Sequence, residues 1–179
     1  LITNILPRLL KSSKNEKTNL LRALEGKRIA SGPSGAPTRG KLEVLPTGKN
    51  FFSVDIRAIP TETAWDLGKR SAEKLVDLYL QENGEHLLHL AISIWGTSTM
   101  RNGGEDICQL FALMGLMPIW DGTLRRVVDV EVIPMSVLNR PRVDVTLRIS
   151  GLFRDAFPQI IELIRRGQNL IGNLHEPNA

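Results

Sequence analysis

Between Ser31 and Pro60 the chain carries Pro33, Pro37, Pro46 and Pro60 together with Gly32, Gly35, Gly40 and Gly48. Proline fixes φ and removes an amide donor, so no helix or central strand passes through this run. A connection of ~30 residues is long for a compact domain, where most span about 4–6. Such a run is either a disordered linker or a functional loop. Leu42, Val44, Leu45, Phe51, Phe52, Val54 and Ile56 are interleaved with the prolines, and a solvated linker has little use for them. The expectation is a functional loop over residues 31–60.

The run divides the chain. Residues 1–30 are expected to form a basic helical arm: Leu20, Leu21 and Leu24 recur at helical spacing and Gly26 sits where a helix ends. Residues 61–166 are expected to form an α/β domain. Thr61 is placed to cap a helix running to about Gln81, closed by Asn83-Gly84. Leu87–Trp95 is almost wholly apolar, as a strand covered on both faces would be. A Gly- and Thr-rich turn follows, then a helix from Gly104 to Leu116 and a short strand at Pro118–Trp120. Two further strands, Val127–Ile133 and Val143–Ile149, precede a last helix from Phe153 to Arg166. Residues 167–179 read as a frayed tail. Strands alternating with helices imply an α/β fold, mainly a parallel sheet with flanking helices.

The chain has 179 residues, 42% hydrophobic and 23% charged, the range of soluble globular proteins. No apolar stretch approaches the roughly 18 residues of a membrane helix, so no membrane partner is expected. The first residue is Leu1, which fits a piece of a larger protein. One cysteine, Cys108, rules out an internal disulfide and fits a reducing, cytoplasmic setting. Residues 1–28 hold Arg8, Lys11, Lys14, Lys17, Arg22, Lys27 and Arg28 against Glu16 and Glu25. A solvated helix face accounts for this charge more simply than nucleic acid, because no aromatic side chain lies in the arm to stack on bases.

Ligands of open α/β sheets bind beyond the carboxyl ends of strands. Two segments leave such ends. The first, Trp95 to Glu105, offers close backbone approach at its glycines, hydroxyls at Thr97, Ser98 and Thr99, and a cation at Arg101. A well-capped turn with no ligand fits it equally. The second, Arg148 to Asp155, carries Arg154 beside Asp155, for which a helix cap and a surface arginine are the simpler account. In the Pro/Gly run, Arg39, Lys41, Lys49 and Arg57 suit a ligand with several carboxylates, or a purely structural loop. His86 and His89 fall at a strand start, where alternation separates them, and are expected as one surface and one half-buried histidine. Cys108 lies on the apolar stripe of its helix and is expected in the core. There is no HExxH, CxxC, Walker loop or nucleophile–base pair.

Five ordered strings go further. Gly32-Pro33-Ser34-Gly35-Ala36-Pro37-Thr38-Arg39-Gly40 is followed by Val44-Leu45-Pro46-Thr47-Gly48-Lys49-Asn50-Phe51 and Ala58-Ile59-Pro60-Thr61. Trp95-Gly96-Thr97 through Gly104 comes next, then Arg140-Pro141-Arg142-Val143-Asp144-Val145-Thr146 through Ser150 to Asp155. Together they resemble the large subunits of the ATP-dependent cobalt and magnesium chelatases, over residues 15–166. The forms Ala36-Pro37-Thr38-Arg39 and Thr97-Ser98-Thr99-Met100-Arg101 look like the cobalt branch; the magnesium branch, acting on protoporphyrin in chlorophyll synthesis, is the alternative.

The resemblance implies a ligase that forms nitrogen–metal bonds, inserting cobalt(II) as substrate metal into hydrogenobyrinic acid a,c-diamide in cobalamin synthesis. It implies a tetrapyrrole substrate, the remainder of a much longer subunit, and ATPase partner subunits that bind the ATP. The family's His-Gly and Glu-containing motif is absent from these residues, so the isolated chain is expected to be inactive and to form one wall of the tetrapyrrole cavity. Arg39, Lys49, Thr97, Arg101 and Arg154 are the groups expected nearest the ligand. A non-catalytic scaffold that docks the ATPase partners is the other reading.

Overall fold

The computed structural model describes residues 2–39, 42–51, 55–122 and 126–176. Lys41, Phe52 and Val54 therefore lie outside the described residues, as does the side chain of Arg39. The chain forms two compact units, Leu1–Asp55 and Ile56–Ala179.

In the first unit, helix α1 (Ile2–Leu24) lies under the Pro/Gly run. Ser12 Oγ accepts from the amide of Thr47 (2.9 Å), Asn19 Nδ2 donates to the Gly48 carbonyl (2.6 Å), and Arg8 Nε donates to the Leu45 carbonyl (3.0 Å). Glu16 also accepts from the Thr47 hydroxyl. These residues recur every three or four positions, so a single face of α1 holds the loop. Gly48, at φ +80°, comes so close that a Cβ there would lie 2.6 Å from the Glu16 amide nitrogen. Strands β1 (Ser31–Gly32) and β2 (Asn50–Phe51) pair in parallel. Val44 and Leu45 are buried. Short 3₁₀ turns at Pro37–Arg39 and Leu42–Val44 replace regular structure, as the prolines dictate. The outer leucines of α1, among them Leu10, Leu20, Leu21 and Leu24, are exposed.

In the second unit, α2 spans Glu62–Asn83. Thr61 Oγ1 accepts from the Ala64 amide at its start, and Gly84 closes it at φ 72°. Its buried residues Ala64, Trp65, Gly68, Ala72 and Val76 form one stripe. The stripe packs on α4 (Glu105–Met114), the most buried element, with Gly68 at the point of closest approach. A Cβ at Gly68 would sit 2.5 Å from Cys108 Cβ and 2.7 Å from the Glu105 carbonyl oxygen.

Strands β3 (His89–Ile94) and β6 (Asp144–Ile149) pair in parallel, from His89 opposite Asp144 to Ile94 opposite Ile149. Helix α4 packs against both. Strands β4 (Leu116–Trp120) and β5 (Val127–Val132) pair antiparallel. Helix α3 (Gly96–Asn102) follows β3, the single turn α5 (Met135–Leu138) follows β5, and α6 (Gly151–Ala156) and α7 (Pro158–Gly172) follow β6.

The architecture is mixed α/β, and the expectation of one mainly parallel sheet is corrected. Among the described residues there are three two-stranded ladders, one of them antiparallel. The reason is connection length. Residues 121–126 are too few for a crossover, which needs a dozen or more residues, so β4 and β5 close as a hairpin. Four local expectations also change. The Gly/Thr turn is helix α3, in which Thr99 is fully buried with its hydroxyl satisfied by the Trp95 carbonyl (3.1 Å). The last helix is broken at Phe157 (φ −125°, ψ 47°), where Pro158 can only begin a new one. It then runs past Arg166 to Gly172, with Gly167 against Leu116 and Arg166 paired with Asp129 (2.6 Å). Strand β3 is open on one face: Ala91 and Ser93 are exposed.

Candidate functional site

The parallel register of β3 and β6 makes the chain leave both strands at the same edge. Ser150 joins the two exits. Its amide donates to the Ile94 carbonyl (3.0 Å), and its hydroxyl accepts from the amides of Gly96 (3.2 Å) and Phe153 (3.1 Å). Gly96 is pressed against the start of α6, where a Cβ would stand 2.9 Å from the Phe153 nitrogen and 3.0 Å from Leu152 Cγ. The two segments singled out in the sequence are thus one surface, with Phe153 and Phe157 (ring centroids 5.2 Å apart) buried beneath it.

Three of the five expected residues belong to this surface. Thr97 and Arg101 are exposed on α3, and Arg154 is exposed on α6, where it pairs with Asp155 at 2.9 Å. The remaining two belong to the other unit. Lys49 is half-buried, its stem lying over Gly32 so closely that a Cβ there would be 2.3 Å from Lys49 Cδ. Arg39 ends the turn Pro37–Arg39.

Residues not singled out complete the surface. Trp95 is 62% exposed and Leu152 49% exposed, beside Gly96 on its two sides. Arg148, near the end of β6, is exposed; like Arg101 it has no hydrogen-bond or ion-pair partner among the described residues. Trp95 was legible: its backbone is still extended, so it falls on the same face as Ala91 and Ser93, the open one. The edge therefore presents an exposed aromatic ring and leucine, with exposed arginines on the elements that meet there, Arg148 on β6, Arg101 on α3 and Arg154 on α6. That combination fits a flat apolar ligand bearing carboxylates.

The arginines of the string Arg140-Pro141-Arg142 do something different. Arg142 is 7% exposed and uses all its donor nitrogens. Nε and Nη2 grip the Glu176 carboxylate (2.8 and 3.0 Å), Nη2 also meets the Ile133 carbonyl (2.9 Å), and Nη1 meets those of Met114 (3.2 Å) and Gly115 (2.9 Å). Arg140 caps the same helix end through Ala112 (2.6 Å) and Leu113 (3.1 Å). The end of α4 is its negative dipole end; backbone amides reach the Ala112, Leu113 and Gly115 carbonyls, and the two guanidiniums add charged donors to these and to Met114. Burial pulls the Arg140 guanidinium below its usual pKa, opposed by Glu73 and Asp77 and reinforced by Arg142. The Arg142 hydrogen bond holds the Glu176 carboxyl below its usual range.

Other candidates carry no chemistry of this kind. Cys108 is fully buried, as expected, and burial, with Glu105 and Asp106 adding to it, pushes its thiol up. Both His86 and His89 are exposed, so neither is the half-buried one expected; His89 Nδ1 lies 3.7 Å from Asp144. Among the described residues no group of three or more His, Cys, Asp or Glu side chains is gathered as metal ligands. No described helix is long and apolar enough to cross a membrane. A cavity of about 320 Å³ between α2, the β4–β5 hairpin and α5 is lined by Trp65, Met117 and Leu138, with Lys69, Glu73, Glu131 and Arg140 at its polar positions. Its mixed charge selects for no one ligand class.

A family model described as CobN/Magnesium Chelatase matches residues 1–179. The chain belongs to the CobN/magnesium chelatase family. It is 55% identical over 161 residues to the aerobic cobaltochelatase subunit CobN of Pseudomonas aeruginosa, which covers 90% of this chain and 13% of that protein. A solved structure, the catalytic subunit of cobaltochelatase from Mycobacterium tuberculosis, superposes with a TM-score of 0.82 at 45% identity, over 97% of this chain and 15% of that one. The magnesium-chelatase subunit ChlH of Oryza sativa subsp. japonica is further away, 37% identical over 164 residues, or 91% of this chain and 12% of that protein. The chain thus spans about one seventh of the length of the relatives it matches.

Proposed function

We propose that this chain is part of the large, tetrapyrrole-binding subunit of a cytoplasmic cobaltochelatase. The carboxyl edge of β3 and β6 forms one wall of the cavity that holds hydrogenobyrinic acid a,c-diamide. The single observation that carries this is the exposure of Trp95 and Leu152 on the two segments that Ser150 joins, with Arg101, Arg148 and Arg154 exposed on α3, β6 and α6. The higher identity to a cobalt than to a magnesium relative supports the choice of metal.

In the reaction, cobalt(II) sheds water and enters the ring while two ring N–H protons leave, so the macrocycle must be held and distorted. The residues here do the holding. Trp95 and Leu152 cover part of the ring face, Arg101 and Arg148 meet side-chain carboxylates, and Arg154 exchanges Asp155 for the ligand. Thr97 donates a hydroxyl. ATP is consumed on partner subunits, whose closure of the large subunit supplies the work of insertion.

The test is a titration of the 179-residue chain with hydrogenobyrinic acid a,c-diamide and, separately, protoporphyrin, followed by absorbance. Saturable binding of the corrin precursor alone is expected. Preference for protoporphyrin would move the assignment to the magnesium branch, and no binding of either would remove the cavity wall from this segment.

One observation favours a second reading, a docking scaffold for the ATPase subunits. Helix α1 exposes Leu10, Leu20, Leu21 and Leu24 among its basic side chains. Deleting residues 1–28 from the complete subunit would then abolish ATPase binding and leave tetrapyrrole affinity unchanged.

A further inference from the structure

The ladder between β3 and β6 has a direction that leaves one row of backbone groups without partners. The Asp144 amide donates to the Leu88 carbonyl (2.7 Å) and the Ser150 amide to the Ile94 carbonyl (3.0 Å). In a parallel pair each residue turned toward its neighbour directs both N–H and C=O to it, and every second residue does so. Leu90, Ile92 and Ile94 therefore bond to β6, while His89, Ala91 and Ser93 direct their backbone groups outward. Among the described residues no strand pairs on that side.

The side chains on this edge leave it accessible. Ala91 and Ser93 are small and exposed, and the facing residues of β6, Thr146 and Arg148, are exposed too. Natural free edges are blunted by proline, lysine or a bulge, and β3 from His89 to Ile94 has none of these. A parallel pair is also a poor end point by itself. Two strands are marginal in water, and parallel strands are ordinarily covered on both faces. Here α4 covers one face only.

We infer that the outer edge of β3 receives a further strand, supplied by the remainder of the same large subunit and hydrogen-bonded to Ala91 and Ser93. The occupant follows from length: this chain is 13% and 15% of two family members that contain its counterpart, so most of the polypeptide lies outside it. A second copy of the chain is the weaker occupant. Two-fold pairing of β3 with itself would use the same edge and is an outcome of the test below. The inference rests on the chain being part of a large subunit, and is independent of what that subunit binds.

The experiment compares Ser93→Pro in the 179-residue chain and in the complete subunit. Because the Ser93 amide points away from β6, proline removes no bond from the chain itself, and its melting midpoint stays within about 2 °C. In the complete subunit, where proline would remove a donor from a paired strand, the midpoint falls by more than it does in the chain. Ile92→Pro, which breaks the ladder to β6, lowers both. Amide exchange gives a second readout that needs no variant: Ala91 and Ser93 exchange at least roughly tenfold more slowly in the complete subunit than in the chain. Equal exchange in the two, or a complete subunit indifferent to Ser93→Pro, would overturn the inference. So would a dimer of the isolated chain that Ser93→Pro dissolves, because the edge would then belong to a second copy. Tetrapyrrole titration of the same samples separates this outcome from failure of the ligand assignment.

Discussion

Replacing Arg142 by methionine keeps the aliphatic stem and deletes the donors. The carbonyls of Met114 and Ile133 then lose this donor, while that of Gly115 keeps the Ile133 amide (2.9 Å). An unsatisfied buried acceptor costs about 1–3 kcal/mol. Water entering the vacated space and the relief of no longer desolvating a guanidinium offset part of that sum. The net expected loss is about 3 kcal/mol, from carbonyls left short of a donor. For a chain of this size each kcal/mol shifts the melting midpoint by about 2–4 °C, so a fall of ~10 °C is expected in thermal denaturation. In urea, with a slope of about 2 kcal/mol per M, the midpoint drops by ~1.5 M. Arg142→Lys should recover less than half, because an ammonium offers its donors from one point and cannot span three carbonyls and a carboxylate. A fall of less than about 3 °C for Arg142→Met, or full recovery with lysine, would refute the hydrogen-bond accounting.

Three further outcomes are expected. The folded-state pKa of Glu176 is lowered, so its contribution is present above the unfolded carboxyl pKa and is lost as pH falls through the lower folded value. Glu176→Gln should therefore flatten the acid limb of the midpoint-against-pH curve below pH ~4.3, and parallel curves for the two proteins would contradict this. Gly68→Ala gains up to ~1 kcal/mol of helix propensity but forces α2 away from Cys108 and the Glu105 carbonyl, at a cost of about 1–3 kcal/mol. A net loss in urea denaturation is expected, and a more stable variant would mean that the crossing is not tight. Trp95→Ala should weaken corrin-precursor binding about tenfold, or ~1.4 kcal/mol. As an exposed position it should leave stability within about 0.5 kcal/mol, and unchanged affinity would remove the ring from the ligand face.

What the sequence disclosed and what it hid divide along a physical line. The start and stop of α2 were legible because Thr61 and Gly84 act on backbone groups three or four residues away. The lack of a long helix or strand among the described residues between Ser31 and Pro60 was legible because proline acts on its own residue, although the short β1 and β2 still pair there. Helix α3 was not, because Gly, Thr and Ser are poor helix formers, and burial of Thr99 against the rest of the unit decides the matter. The β4–β5 pairing was available from Asp121-Gly122, which sets a short connection. Counting its residues excludes a parallel neighbour.

The arginines show the same line within the site. Sequence position alone makes Arg101, Arg140, Arg142, Arg148 and Arg154 equivalent candidates, all carried in the strings shared with the chelatases. Donor accounting separates them. Arg140 and Arg142 are committed to carbonyls about 28 residues away in sequence, a distance at which no local pattern can speak. A guanidinium so engaged has nothing left to offer a ligand, and moving it would uncap α4. Arg101 and Arg148 have no described partner, and Arg154 is held only by an exposed pair with its neighbour, an interaction worth little in water. Arg101 and Arg148 have no described bond for a carboxylate-bearing ring to displace, and the one that Arg154 would give up is weak. That is why the carboxyl edge of β3 and β6, rather than the better-ordered arginine pair behind it, is the place to look for the macrocycle.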